Sequence, residues 1–382
     1  MAAAEVAGHV RDSLIESVKA HMVSDVPVGV FLSGGLDATA IVAAIRQFYS
    51  GPLKTFTIVF PGTQWDESDL ARRAAVCYGT DHSELEVTKE DFYSGLDDLF
   101  LAMDQPTVDG VNTYFVAKSV REAGGKVALS GLGGDEILGG YKSFVQVPSL
   151  QRYLRVARSV PWVSGLASSM AKRLPISRAP KLAQLLRCAP DDLEALWRDY
   201  RALFTDEQIH NDLGLQVTDR GTPQPRRLRL PAETNDPFWS VTRVEMERFM
   251  IPQLLRDSDV FTMCHGLELR TPFVDHMFLS AAREAGTWPR DGAPSHKIAL
   301  FRQMGGFLPA DHLVQPKMGF TFPFEVWFRE TLSNKDSSGI GRDMRSLLHQ
   351  PTYRPFVDGF IRGKVHWSRI WSLYVLERFK AS

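Results

Sequence analysis

Hydrophobic positions in the first third of the chain switch between two spacings. Val10, Leu14, Ile15 and Val18 recur at helical intervals over Val10–Met22, and Ser24-Asp25-Val26-Pro27 stops that helix. The next run, Val28-Gly29-Val30-Phe31-Leu32, is short, apolar and rich in β-formers, which predicts a buried strand. A glycine turn, Ser33-Gly34-Gly35-Leu36-Asp37, then leads into a helix over Thr39–Tyr49. The same order returns in the strand Lys54–Phe60 and helix Ser68–Tyr78, the strand Ser83–Val87, the helix Tyr114–Ala123 and the strand Lys126–Leu129. Strands separated by helices build a parallel sheet with both faces covered, and such sheets hold ligands beyond the carboxyl ends of their strands. The expected class is α/β with a doubly wound parallel sheet.

Beyond about Pro148 the strand signal fades. Leu150–Phe204 and Trp239–Gln253 read as helices interrupted by Pro and Gly. The chain is thus expected to divide into a sheet-bearing part, 1–147, and a largely helical part, 148–382. Gly214–Pro231 and Ser333–Gly341 have the composition of mobile surface loops, and no internal repeat is visible.

Composition narrows the function classes. A chain of 382 residues with 44% hydrophobic content can bury a large core. With 44 basic against 45 acidic residues it carries no charge excess to hold a nucleic acid or an anionic membrane, so a small ligand is expected. Arg152, Arg155, Arg158, Lys172, Arg173, Arg178, Lys181 and Arg187 form a stretch without acidic residues, read as solvated helix faces. Cys77, Cys188 and Cys264 are odd in number and far apart, which spells neither a disulfide framework nor a zinc site and suits a reducing cytoplasm. No signal peptide or membrane-length apolar run interrupts the chain.

Several glycine-rich turns invite a nucleotide reading. Gly125-Lys126-Val127 and Gly363-Lys364-Val365 lack the Ser/Thr and upstream glycine of a Walker loop, and Gly131-Leu132-Gly133-Gly134-Asp135-Glu136 has Glu136 where a dinucleotide fingerprint needs its third glycine. Ser33-Gly34-Gly35-Leu36-Asp37 differs because it links a buried strand to a helix, where free N–H groups and the helix dipole favour phosphate. Adjacent glycines admit oxygens to the main chain, Ser33 adds a hydroxyl and Asp37 can hold magnesium beside a polyphosphate. Asp135 follows a different strand, so two carboxylates converging at one sheet edge form a candidate Mg2+ site for ATP.

The segment from Val26 to Asp37 resembles the pyrophosphate loop of asparagine synthetases, and Leu129–Tyr141 is similar to that family's second signature. His265–Asp275, Pro316–Phe320 and Trp367–Leu373 agree with further family blocks in order and spacing, so the resemblance spans essentially the whole chain. It implies the ATP-pyrophosphatase fold, related to adenine nucleotide alpha-hydrolases, and a ligase that adenylates a carboxylate, most directly aspartate, before ammonia takes the acyl group. The implied adenosine and pyrophosphate contacts are Leu32, Ser33, Gly34, Gly35, Asp37, Thr39, Ile58, Ser130 and Gly131, with Asp37 and Asp135 as metal ligands. Lys317 matches the family lysine that neutralises charge developing at the phosphoryl and acyl centre. Asp259 and Glu136 are the candidates for binding the acid.

Three positions depart from the family pattern. Ala38 replaces a serine after Asp37, with Thr39 next door as a substitute donor. Leu132 stands where many relatives carry an acidic residue, and leucine cannot act as a general base. Val260 follows Asp259 where aspartate-using relatives have arginine, which removes a bidentate grip on a second carboxylate. These changes keep open another carboxylic acid, amidated or cyclised, and a non-catalytic partner-binding descendant. No cysteine-nucleophile domain precedes the phosphate loop. Nitrogen is therefore expected as free ammonia or from a separate glutaminase protein, unless the chain is a piece of a longer one.

Overall fold

The structure is a computed structural model that describes residues 3–159 (apart from 62, 64 and 67), 179–215, 236–286, 295–314, 321–333 and 342–381. Both expected loops fall largely outside these residues, as does the middle of the basic stretch. The chain forms two compact units, Met1–Gly140 with Phe249–Pro323, and Tyr141–Arg248 with Phe324–Ser382.

The first unit runs α1 (Ala3–His21), β1 (Val28–Phe31), α2 (Leu36–Ile45), β2 (Lys54–Val59), α3 (Ser68–Tyr78), β3 (Asp81–Glu86), α4 (Lys89–Ser94), α5 (Leu96–Ala102), α6 (Val111–Glu122), β4 (Val127–Leu129) and α7 (Gly134–Leu138). Its later segment adds α8 (Arg256–Met263), β5 (Glu268–Arg270), α9 (His276–Glu284) and α10 (His296–Gln303). The sheet has the order β3-β2-β1-β4-β5 with every neighbouring pair parallel. Val30 pairs with Thr55 on one side and Leu129 on the other, so β1 is central and apolar on both faces, as its uninterrupted hydrophobic run requires. α2 packs on β1, α3 on β2 and β3, and α6 on β2 and β3, completing the doubly wound arrangement. The chain order reverses between β1 and β4, which creates a topological switch point at their carboxyl ends.

A single cut at 147/148 does not describe this division. β5 continues the sheet: Ser130 N–H donates to Arg270 O at 2.9 Å and Glu268 N–H to Lys126 O at 2.9 Å. Ser17 of α1 also donates a buried hydrogen bond, 2.7 Å long, to Pro272 O. Residues far along the chain are thereby bound into the sheet-bearing unit.

The second unit is helical in its described residues, as the fading strand signal predicts. The helix Ser143–Ser159 meets Leu193–Arg201 and Pro237–Glu245. Ser143 Oγ donates to the buried Glu245, whose charge is offset by Arg201 at 3.5 Å. A second cluster stacks Phe324 and Phe328 of Phe324–Leu332 on Trp371 of Trp367–Ala381. No described helix is long and apolar enough to cross a membrane.

Candidate active site

β1 ends at Phe31, and Leu32 continues its line by donating N–H to Phe56 O at 2.7 Å. The turn that follows needs glycine, because Gly34 has φ +77° and a side chain there would meet Leu70 and Ala71. Gly35 is the extended N-cap of α2, and no side chain caps the first helical turn. Its N–H groups are therefore left for an anionic ligand, with Ser33 beside them accepting from Gly35 N at 3.4 Å. Asp37, in this first turn, also lies where the helix dipole favours negative charge.

The second signature leaves β4 in the same direction. Ser130 Oγ accepts from Leu132 N at 3.3 Å, and the turn reaches α7, whose first acidic residues are Asp135 and Glu136. A side chain at Gly131 would place Cβ 2.6 Å from Asp37 Cβ and 2.9 Å from Ala38 N. The bare backbone at Gly131 is what lets the two loops touch across the switch point. Gly140 serves the other carboxylate, since a methyl group there would collide with Asp135 Oδ1.

Asp37 and Asp135, assigned from separate loops, meet through a residue that sequence reasoning missed. Lys297 Nζ donates to Asp37 Oδ2 at 2.7 Å and also to Asp135 Oδ1. Lys297 is only 5% exposed. Burial, the largest single influence on it, opposes its charge, but the two carboxylates together outweigh that cost and hold the ammonium well above the ordinary lysine value. It sits at the second position of α10, where Ser295 Oγ caps the helix by accepting from Ile298 N at 3.2 Å. The available sequence signal was a lysine inside the buried run Lys297-Ile298-Ala299-Leu300-Phe301, since a lysine so placed requires anionic partners.

The other expected residues divide clearly. Leu32 and Ile58 are buried at β1 and β2, so any ligand contact there is through backbone groups. Ser130 and Gly131 are half-buried at the end of β4. Thr39 is fully buried within α2 and its hydroxyl has no hydrogen-bond partner among the described residues, which puts it on the core side of the helix. Its burial argues against the phosphate contact expected of it. Glu136 is 1% exposed within α7, whereas Asp259 is exposed on α8. Lys317 lies outside the described residues.

Magnesium suits the carboxylate pair. The two side chains already share one cation, and their small number fits an ion that takes one or two carboxylates and leaves its other positions to phosphate oxygens and water. Among the described residues no group of three or more His, Cys, Asp or Glu side chains offers an all-protein metal cage.

Comparison with known proteins places the chain in a family. The family model described as Asparagine synthase matches residues 9–380. The chain is 28% identical over 334 residues to asparagine synthetase [glutamine-hydrolyzing] 1 of Bacillus subtilis, covering 85% of this chain and 51% of that protein. It is 30% identical over 320 residues to a putative asparagine synthetase [glutamine-hydrolyzing] of Mycobacterium bovis, covering 83% and 48%. Amidase chry2 of Gibberella zeae matches over a shorter stretch, 30% identical over 156 residues. The chain spans about half the length of the two bacterial relatives. A family match across 9–380, resting on a parallel sheet with both signature loops at its switch point, means that the chain belongs to the asparagine synthase family.

Proposed function

We propose that the chain is an ATP-dependent amide ligase that adenylates a carboxylate and transfers the acyl group to ammonia, releasing pyrophosphate and AMP. The observation that carries this reading is the meeting of Asp37 and Asp135 on one cation at the β1/β4 switch point. In the first step a carboxylate oxygen attacks the α-phosphorus of ATP and pyrophosphate leaves. In the second, the nitrogen lone pair attacks the acyl carbon, AMP leaves with the electron pair of the broken C–O bond, and the nitrogen sheds a proton.

The first-turn N–H groups of α2 and the Ser33 hydroxyl cradle the departing pyrophosphate, and Leu32, Ile58, Ser130 and Gly131 line the adenosine through backbone groups. Bound by Asp37 and Asp135, magnesium supplies charge neutralisation along the polyphosphate. Lys317 adds a positive charge where negative charge develops in both steps.

Aspartate is the first acid to test, with Asp259 and Glu136 as the residues proposed to bind it. Val260 favours a second reading, amidation of a different acid, because the position beside Asp259 lacks the guanidinium that would grip a second carboxylate. Ammonia is the nitrogen donor, either free or passed on by a separate glutaminase. Two of the three thiols, Cys188 and Cys264, are ill suited to cleaving glutamine. Burial and the Asp199 carboxylate push Cys188 up to about 12, and burial raises Cys264, opposite to what a cysteine nucleophile needs. All three cysteines are free, which suits a reducing, cytoplasmic setting.

ATP–pyrophosphate exchange in the presence of single carboxylic acids tests the reading. Exchange that depends on one acid, followed by amide formation with ammonium salts and not with glutamine, is the expected result. An absence of exchange across aspartate and a broad acid panel overturns it in favour of a partner-binding role.

A further inference from the structure

We infer that Lys297 is a positioning residue whose ammonium holds Asp37 and Asp135 together before nucleotide arrives and keeps a free divalent cation off them, so that metal enters only with its nucleotide. The inference rests on the reading of Asp37 and Asp135 as metal ligands and goes beyond it.

The oxygens in question are already engaged. Nζ bonds Asp37 Oδ2 at 2.7 Å and Asp135 Oδ1, while the two carboxylate side chains are each 17% exposed. A divalent ion approaching without nucleotide must therefore compete with a fixed positive charge for the same acceptors. It meets a triad of net charge −1, where the carboxylates alone would offer −2. The triphosphate of ATP reverses this balance by bringing several negative charges that bind the metal and interact favourably with the ammonium. Metal and nucleotide binding become linked through one side chain.

Lys297 is carried on a fixed backbone. Its helix α10 is capped by Ser295, packs against α1 and α7, and buries Ile298, Ala299, Leu300 and Phe301. A compact ammonium suits this bridging role because a single nitrogen can donate to two carboxylates at once. An ordinary structural ion pair would show the same contacts but would leave metal affinity unchanged when removed, and that separates the two roles.

The test is Mn2+ binding by electron paramagnetic resonance, with and without α,β-methylene-ATP, on the wild-type chain and on Lys297→Met and Lys297→Gln. Wild type is expected to bind Mn2+ weakly alone and tightly with the analogue. Removing the ammonium should strengthen nucleotide-free binding by about tenfold or more and shrink the gain that the analogue brings. Unchanged or weaker nucleotide-free binding in a folded variant overturns the inference while leaving the metal site standing. Failure of wild type to take up Mn2+ even with the analogue overturns the metal site itself. Should both variants fail to fold, the wild-type chain decides through the 15N signal of the Lys297 ammonium. That signal should broaden with Mn2+ plus analogue and not with the same concentration of Mn2+ alone, and equal broadening in the two cases overturns the inference.

Discussion

Lys297 Nζ lies 2.7 Å from Asp37 Oδ2 although 260 positions separate them in the chain. The pair ties the glycine loop after β1 to a helix that enters the unit late in the sequence. Its ammonium also reaches Asp135, so three segments meet at one nitrogen.

Asp37→Asn and Asp135→Asn should each abolish magnesium-dependent ATP–pyrophosphate exchange. They should also lower stability, because each leaves a buried ammonium with one carboxylate fewer. A loss of about 1–3 kcal/mol is expected for weakening one hydrogen bond of a buried charged group. Thermal melts run beside exchange assays check both effects, and wild-type exchange in either variant withdraws that residue as a metal ligand.

Gly131→Ala and Gly140→Ala should fail differently. At Gly131 the new methyl meets Asp37 Cβ and the Ala38 backbone nitrogen, which cannot move without shifting α2. A stability loss of about 1–3 kcal/mol and poor soluble yield are expected. At Gly140 the nearest atoms are the ends of the Asp135 and Lys297 side chains, which can turn away. That variant should fold with a smaller drop in melting temperature than Gly131→Ala yet lose most exchange activity. Equal melting temperatures for the two variants would contradict this distinction.

Lys317→Ala should lower kcat by roughly a hundredfold or more with little change in apparent ATP affinity, since a charge that acts on developing negative charge stabilises the transition state more than the ground state. Lys317→Arg should rescue poorly because a planar fork does not fit a point-charge site. Steady-state kinetics decide the matter. A raised KM with kcat preserved makes Lys317 a binding residue only.

The legible parts of this molecule were those whose cause is local. The Val28–Leu32 run and its glycine turn predicted β1, the anion-ready start of α2 and the place of Asp37, because period and turn chemistry are written in consecutive residues. The place of Asp135 was legible for the same reason, after β4, the strand beside β1 in the sheet. β5 was not, since the three residues Glu268–Arg270 are too short a run to signal a strand, and only pairing with β4 makes them one. Lys297 escaped because its partners lie 162 and 260 positions away and no spacing rule links them. Thr39 was expected from adjacency alone, and helical geometry buries it in the core two residues after the glycine loop.

Asp257 provides a prediction about stability and pH. Its carboxylate is 3% exposed and accepts a hydrogen bond from Thr107 Oγ1 at 2.5 Å. Burial pushes its pKa up to about 6, with Asp109 and Asp104 adding to the shift and Thr107 and Arg256 opposing it. The folded chain therefore holds this proton more tightly than the unfolded one. Stability from this group is present below about pH 4, declines as pH rises through the interval up to about 6, and stays lost above it. Asparagine is neutral at every pH and keeps an oxygen for the Thr107 hydroxyl. Asp257→Asn should match wild type near pH 4 and exceed it near pH 7.5 by on the order of 2 kcal/mol. Calorimetric melts from pH 4 to 8 provide the measurement, and the two curves should diverge as pH rises. Parallel curves would mean that Asp257 stays ionised in the fold and that the bond from Thr107 outweighs its burial.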